Sequence, residues 1–193
     1  SVAAGPLNKS NNGIHGVAFD AEILFIAIRL GSPQDDYDPV DIGDDDGSGN
    51  VTNAPDFTGI DNFFAQLFSI YNSYEVDIVN NSYGYSGNII DFTEAQVRYA
   101  FPKTIAEMSQ IGTPDSLKTI YVWAAGNAGG YADQGVDYSS PEILPGMAHY
   151  ITEIQGHSIA VASVDENGQI SNFSSRCGVA QDYCIAAPGS DIT

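Results

Sequence analysis

The chain has 193 residues, of which 43% are hydrophobic and 11% aromatic, so it is globular and can build one sizeable core or most of a larger one. Its 25 acidic and 6 basic residues give a formal net charge of -19, which repels phosphate backbones and anionic lipids. Composition and charge therefore exclude a disordered chain and predict no nucleic-acid partner and no membrane contact, and no apolar stretch approaches the roughly 20 residues that span a bilayer.

The predicted elements alternate between strands and helices. Five short, nearly continuous apolar runs are typical of strands that are covered on both faces. Amphipathic helix patterns lie between the runs, and this alternation predicts an α/β fold with a mostly parallel sheet and helices on both faces. The five runs are residues 21–30, 76–82, 119–125, 158–164 and 184–188.

An acidic loop insertion, residues 35–56, follows the first predicted strand. Within it, Asp44, Asp46 and Ser48 offer hard oxygen ligands at every second position before a glycine, as at the opening of a calcium loop. The twelfth position holds Pro55 instead of the closing glutamate. Two interpretations therefore stay open, a calcium site and a solvated acidic insertion.

Two helical regions are predicted in the middle of the chain. The first carries an apolar stripe along one face, which we expect to pack in the core. The stripe consists of Ile60, Phe63, Phe64, Leu67, Phe68 and Tyr71. In the second region, Thr93 is the predicted N-cap, Gln96 completes a capping box, and Pro102 breaks or kinks the helix.

Polar residues stand at the ends of two predicted strands, Asn81–Ser82 and Gly126–Asn127. Ligands of α/β proteins bind beyond the carboxyl ends of parallel strands, so these pairs are the candidate site. Taken alone, Asn127 also fits a turn residue with a left-handed backbone, and Ser82 fits a hydroxyl that is satisfied at a strand end.

The cysteines and histidines say more about structure than about a metal. Cys177 and Cys184 have six residues between them, too isolated for a four-ligand zinc site and close enough for a local disulfide. A disulfide favours an oxidising, extracytoplasmic compartment. His15, His149 and His157 are scattered without ligand-like neighbours, so we expect structural roles for them.

Several sequence blocks resemble, in order and spacing, those of subtilisin-like serine proteases. "VNNSYG", residues 79–84, resembles the substrate-binding strand, and "AAGNAGG", residues 124–130, resembles the segment that carries the oxyanion-hole asparagine. "GIHGVAFDAEIL", residues 13–24, resembles the segment after the catalytic histidine. Residues 158–178 and 184–192 resemble the stretch before the catalytic serine. The cysteine spacing, with "HGVAFDAE" and "CIAAPG", points toward the bacterial autotransporter branch.

This resemblance implies a subtilisin-like three-layer fold and a polypeptide substrate that is cleaved by acyl transfer. By the resemblance, the Asn127 side chain donates a hydrogen bond to the transient oxyanion. Three residues after the first strand would pair with an extended peptide: Ser82, Tyr83 and Gly84. Three small residues would form the wall of the first specificity pocket: Ala124, Ala125 and Gly126. Because these residues are small, we expect a pocket that is open to a large side chain.

The motifs of the catalytic Asp, His and Ser are missing from the sequence. The segment around His15 matches a later block, and "IGTPDS", residues 111–116, has proline at the nucleophile position. We therefore predict that residues 1–193 are the central part of a single subtilisin-like peptidase domain, incomplete at both ends. Its triad would lie outside the chain, and the chain alone would be inactive.

The resemblance also sets expectations about location and partners. The parent protein is predicted to be a serine endopeptidase that is secreted or displayed on the bacterial cell surface. No cofactor is expected to be required, with calcium as the candidate cation. The missing flanks should leave apolar surface bare, so self-association of the fragment is expected. The alternative is a non-catalytic extracellular peptide-binding module with the same fold.

Overall fold

The structure is a computed structural model that describes residues 21–27, 40–110 and 119–190. The chain divides into two compact units, Ser1–Pro33 and Gln34–Thr193. The first unit is described at residues 21–27, which have no regular secondary structure and are all exposed except the half-buried Ile26. The predicted strand is wrong over these residues, because an apolar run forms a strand only where a neighbouring strand pairs with it. Residues 28–30 lie outside the described residues.

The second unit contains the regular elements. In chain order they are β1 (Asp44–Asp45), β2 (Val51–Thr52), α1 (Thr58–Ser73), β3 (Ile78–Asn81), α2 (Glu94–Ala100), α3 (Pro102–Ser109), β4 (Ile120–Ala124), α4 (Ile143–Gly146), β5 (Ser158–Val164) and β6 (Cys184–Pro188). Short 3-10 helices span Ile89–Asp91, Ala128–Gln134, Met147–His149, Thr152–His157 and Gly178–Tyr183.

A four-stranded parallel sheet in the order β3-β4-β5-β6 is the centre of this unit. Its strands lie within four of the five predicted apolar runs, so the α/β class and the parallel sheet are confirmed. The register pairs Asn81 with Trp123. Because both residues stand at the carboxyl ends of their strands, the segments that follow β3 and β4 leave the sheet side by side.

One face of the sheet forms the hydrophobic core with the helices. The ring of Phe68 from α1 lies 5.2 Å from that of Tyr121 and 6.0 Å from that of Trp123. Each of α1 to α4, the α-helices of the described residues, contributes buried side chains to the same cluster as these strands. The core includes Phe64, Phe68, Val79, Val97, Ala100, Ile105, Met108, Tyr121, Trp123, Ile143 and Leu144.

The opposite face of the sheet is open within the described residues. Ile78, Ile120 and Ile185 on this face are 63%, 37% and 55% exposed. Along β3 and β4, buried and more exposed residues alternate, as expected when one face is packed and the other is not. In the described part of the chain, cover on both faces is therefore not observed, although the runs predicted it.

The local helix predictions agree with the structure. The stripe of α1 faces the core, except that Phe63 is 41% exposed. The Gln96 N–H donates to Thr93 Oγ1 (3.3 Å), and the Thr93 N–H donates to Gln96 Oε1 (2.8 Å), so the capping box is confirmed. Pro102 begins α3 directly after α2 ends, because its fixed ring suits a first helical turn and not an interior.

The predicted disulfide joins Cys177 to Cys184, with their Cα atoms 5.7 Å apart. It connects the two ends of the 3-10 helix Gly178–Tyr183, directly before β6. The described residues include no helix with the length and apolar character needed to cross a membrane.

Candidate active site at the ends of β3 and β4

The segment after β4 has an unusual backbone at one residue. Gly126 has a φ of +121°, a region that side chains disfavour, whereas Asn127 has a φ of -118°. The interpretation of Asn127 as a left-handed turn residue is therefore wrong, because the glycine before it takes the positive angle. Asn127 is exposed, and its side chain does not cap the 3-10 helix that follows.

Main-chain hydrogen bonds hold this segment firmly. The Ala125 N–H donates to Val161 O in β5 (2.9 Å), and Gly126 O accepts from the Ser175 N–H (2.9 Å). At Gly129, a Cβ atom would lie 2.6 Å from Asn172 O, so the segment packs directly on the loop before the disulfide. The backbone that carries Asn127 is thus fixed by β5 on one side and by this loop on the other.

The segment after β3 presents its backbone and buries one side chain. Ser82 and Gly84 are exposed, whereas Tyr83 is half-buried. The Tyr83 hydroxyl donates to Asn81 Oδ1 (2.8 Å), and its ring stacks on Phe64 with 6.0 Å between centroids. Burial raises the pKa of Tyr83. This side chain therefore anchors the segment in the core and leaves the main chain at the surface.

Glu142 lies between the segments that follow β3 and β4, and the sequence did not predict it as a site residue. Its Oε1 accepts from the Asn127 N–H (3.0 Å), and its own N–H donates to Ala125 O (2.9 Å). Burial raises the pKa of the Glu142 carboxyl, and the hydrogen bond from Asn127 works in the opposite direction. The signal for this residue was an isolated acid inside the apolar stretch "PEILPG", residues 141–146.

Two glycines of the candidate site are explained by this carboxyl group. A Cβ atom at Gly126 would lie 2.5 Å from Glu142 Cδ, and one at Gly84 would lie 2.8 Å from Glu142 Oε2. Both distances are shorter than a nonbonded contact allows. The structure therefore brings Gly84, Gly126 and Asn127 together around Glu142, at the carboxyl edge where a ligand of an α/β protein binds.

Comparison with protein families assigns the chain to a family. The model of the subtilase family matches residues 1–193, which is the whole chain. The chain belongs to the subtilase family.

Two curated relatives of this subtilase chain come from bacteria. The extracellular serine protease of Serratia marcescens is 24% identical, over 95% of this chain and 17% of the relative. Serotype-specific antigen 1 of Mannheimia haemolytica is 30% identical over 71 residues, which are 37% of this chain and 7% of that protein. The subtilase chain thus spans less than a fifth of the length of either relative.

Two solved structures are also similar to the subtilase chain. The prenylagaramide maturation protease PagA matches with a TM-score of 0.44 and 16% identity, over 68% of this chain and 38% of that one. The PatG macrocyclase in complex with peptide matches with a TM-score of 0.42 and 15% identity, over 68% of this chain and 32% of that one.

The acidic residues of the predicted calcium loop lie in the hairpin of β1 and β2, not in the segments that follow β3 and β4. Asp46 Oδ1 accepts from the Ser48 hydroxyl (2.6 Å) and N–H (2.9 Å), and these bonds hold the pKa of Asp46 down to about 2. Asp44 Oδ2 accepts from Asn53 Nδ2 (2.9 Å). Among the described residues, no group of three or more His, Cys, Asp or Glu side chains could hold a metal. Calcium binding by this subtilase chain stays a prediction.

Of the remaining candidates, His149 and His157 lie in the described residues. The ring of His149 packs against Tyr150, with 4.6 Å between centroids. His15, most of the block at residues 13–24 and residues 35–39 of the acidic loop lie outside the described residues.

Proposed function

We propose that this chain forms the substrate cleft and the oxyanion side of a secreted serine endopeptidase that cleaves peptide bonds by acyl transfer. One observation carries the proposal. Gly126 absorbs the strained backbone angle, and this leaves Asn127 exposed at the end of β4 with a side chain that does not cap the following helix. Membership of the subtilase family supports the same reaction class.

The proposed role of Asn127 is to stabilise negative charge. When a nucleophile attacks a peptide carbonyl, charge builds on the oxygen, and a donor fixed in advance lowers the barrier without reorganisation. The Asn127 side-chain amide would be this donor. Its backbone is held by the Glu142 carboxylate, and Ala125 and Gly126 before it are bonded to β5 and to Ser175.

The proposed substrate binds as an additional strand. Ser82, Tyr83 and Gly84 follow the carboxyl end of β3, and their main chain would pair with an extended peptide. The ring of Tyr83, packed on Phe64 and Trp123, holds this edge in place, which lowers the entropy cost of binding. Ala124, Ala125 and Gly126 would form the wall of the first specificity pocket.

We infer that the catalytic Asp, His and Ser are supplied from outside residues 1–193. Support comes from the sequence, which lacks their three motifs. The 193-residue chain should then fail to react with a serine-directed phosphonate, measured by intact-mass spectrometry. Stoichiometric labelling would overturn this inference. Coding sequence for His-Gly-Thr-His before the chain and for Gly-Thr-Ser-Met after it would support it.

The role of Asn127 can be tested in a protein extended to include those two blocks. Asn127→Ala should lower kcat by about 10² to 10³, a magnitude known for subtilisin itself, because one oxyanion donor is lost. KM should change little, since the interaction forms in the transition state. Asn167→Ala, on an exposed turn, is the matched control and should leave kcat unchanged. An unchanged kcat in Asn127→Ala would remove the oxyanion role.

The proposed location is outside the cell or at its surface. The Cys177–Cys184 disulfide supports an oxidising compartment, and the Serratia relative is named as extracellular. The autotransporter branch stays a prediction. Antibody against the chain should detect the protein in culture medium or on intact cells, and detection confined to lysed cells would contradict this location.

A further inference from the structure

The carboxyl group of Glu142 lies between the two proposed peptide-binding segments. It contacts the Asn127 N–H through Oε1, and its Oε2 and Cδ fill the space that side chains at residues 84 and 126 would need. The backbones of Gly84 and Gly126 therefore stand on either side of an acidic group. A substrate side chain that enters between these segments meets this carboxyl group.

Glu142 is also held rigidly by its own main chain. Its N–H donates to Ala125 O (2.9 Å), and its backbone forms an antiparallel bridge with Asn88. The next residue, Ile143, is buried and begins α4. An acidic group that is fixed before the ligand arrives loses little freedom on binding, so its charge is well placed for selection.

Within the described part of the chain, the ion pairs join Arg98 to Glu94 and Glu153. Glu142 therefore has no cationic partner among the described residues. The basic side chains of the described residues have other neighbours: Glu94 and Glu153 for Arg98, Asn62 for Lys103 and the Tyr138 ring for Arg176. Burial raises the pKa of Glu142, and a cation at Oε2 would offset that cost.

We propose that Glu142 makes the cleft selective for peptides with Lys or Arg at the residue whose side chain enters between Ser82–Gly84 and Ala124–Asn127. This inference rests on the proposed peptide cleft. The cation of the substrate would pair with Oε2, while Oε1 keeps its bond to Asn127. A neutral side chain of the same length leaves the carboxylate unpaired, and an acidic one adds repulsion.

The test is peptide binding to the 193-residue chain, measured by titration calorimetry. The probes are N-acetylated peptide amides, Ala-Ala-Ala-Xaa, with Xaa as Lys, Arg, norleucine or Glu. Norleucine has nearly the shape of Lys without its charge. Because the chain carries a net charge of -19, all titrations need physiological salt to screen long-range attraction. We expect the Lys and Arg peptides to bind at least about tenfold more tightly than the norleucine peptide.

Glu142→Gln separates charge from positioning, because glutamine still offers an oxygen to the Asn127 N–H. In this variant the preference for Lys and Arg over norleucine should shrink to within about twofold, because the charge that distinguishes these peptides is gone. Glu166→Gln changes the net charge equally at an exposed turn and should keep the full preference.

The other outcomes separate the two proposals. If Lys and norleucine peptides bind equally to the native chain, selection by Glu142 is wrong and the peptide cleft stands. The same holds if Glu142→Gln keeps the full preference for Lys and Arg, because a group other than the Glu142 carboxylate then selects the cation. If no peptide binds, both the selectivity and the proposed cleft are overturned.

Discussion

Gly126 is subject to two constraints that a side chain would violate. Its φ of +121° is accessible mainly to glycine, and the position of its missing Cβ is taken by the Glu142 carboxyl group. Gly130, four residues later, has no such constraint, because a Cβ there would meet Phe173 Cβ at an ordinary 3.8 Å. The two glycines of one motif therefore have different tasks.

Alanine substitution should expose this difference. Gly126→Ala should lower the free energy of unfolding by roughly 1–3 kcal/mol or more, because strain and overlap with Glu142 act together. Gly130→Ala should stay within about 0.5 kcal/mol of the native chain. Urea denaturation followed by tryptophan fluorescence measures both. Equal losses in the two variants would contradict the constraint assigned to Gly126.

The pairing of α1 with α3 depends on a buried carboxylate. Asp61 is 3% exposed and lies on the same helical face as Phe64 and Phe68. Its Oδ1 accepts from the Thr104 N–H and Oγ1 (2.8 Å each), and its Oδ2 accepts from the Lys103 N–H (3.1 Å). Because α3 has no side-chain cap of its own, α1 supplies one from a neighbouring element.

Removal of this carboxylate should be costly. Asp61→Ala should lower the free energy of unfolding by about 2–3 kcal/mol, since buried donors at the start of α3 lose their acceptor. Asp56→Ala is the matched control: Asp56 is exposed, accepts from the Thr58 N–H (2.8 Å), and should cost at most about 1 kcal/mol. Chemical denaturation should show an unchanged m-value for both. A loss in Asp61→Ala no larger than in Asp56→Ala would refute the interhelical cap.

At the scale of the whole unit, one face of the sheet is open within the described residues. Ile78, Ile120 and Ile185 are exposed on it, and Val122, Ile159 and Val161 are half-buried. A contiguous apolar face of this kind is uncommon on a monomer and favours association. The arrangement supports the prediction that the 193-residue chain self-associates.

Light scattering coupled to size-exclusion chromatography measures this association. The native chain should elute as a concentration-dependent oligomer, and the double variant Ile78→Lys, Ile185→Lys should shift it toward monomer, because charges on that face oppose burial. Ile70→Lys, on the 39% exposed outer side of α1, is the control and should not change the mass. A native chain that is monomeric at every concentration would contradict the prediction.

The amino-acid sequence by itself determined the features that depend on neighbours in the chain. Short apolar runs located four strands, helical periodicity located the stripe of α1, and the Thr93–Gln96 spacing located a capping box. The cysteine spacing predicted the disulfide, and the order of the sequence blocks pointed to the family that the comparison shows. These features are local because they arise from helix and strand periods and from short loops.

Only the tertiary structure decided which groups meet across the fold. Glu142 reaches Asn127 over a separation of 15 residues, and Asp61 reaches Thr104 over 43. Likewise, the run at residues 21–30 predicted a strand that does not form over residues 21–27, and one face of the sheet is open in the described residues. Pairing and burial depend on which elements pack together, and a local pattern carries no record of the partner. Glu142 was therefore readable as an unusual acid in the sequence, but its contact with the Asn127 N–H was not.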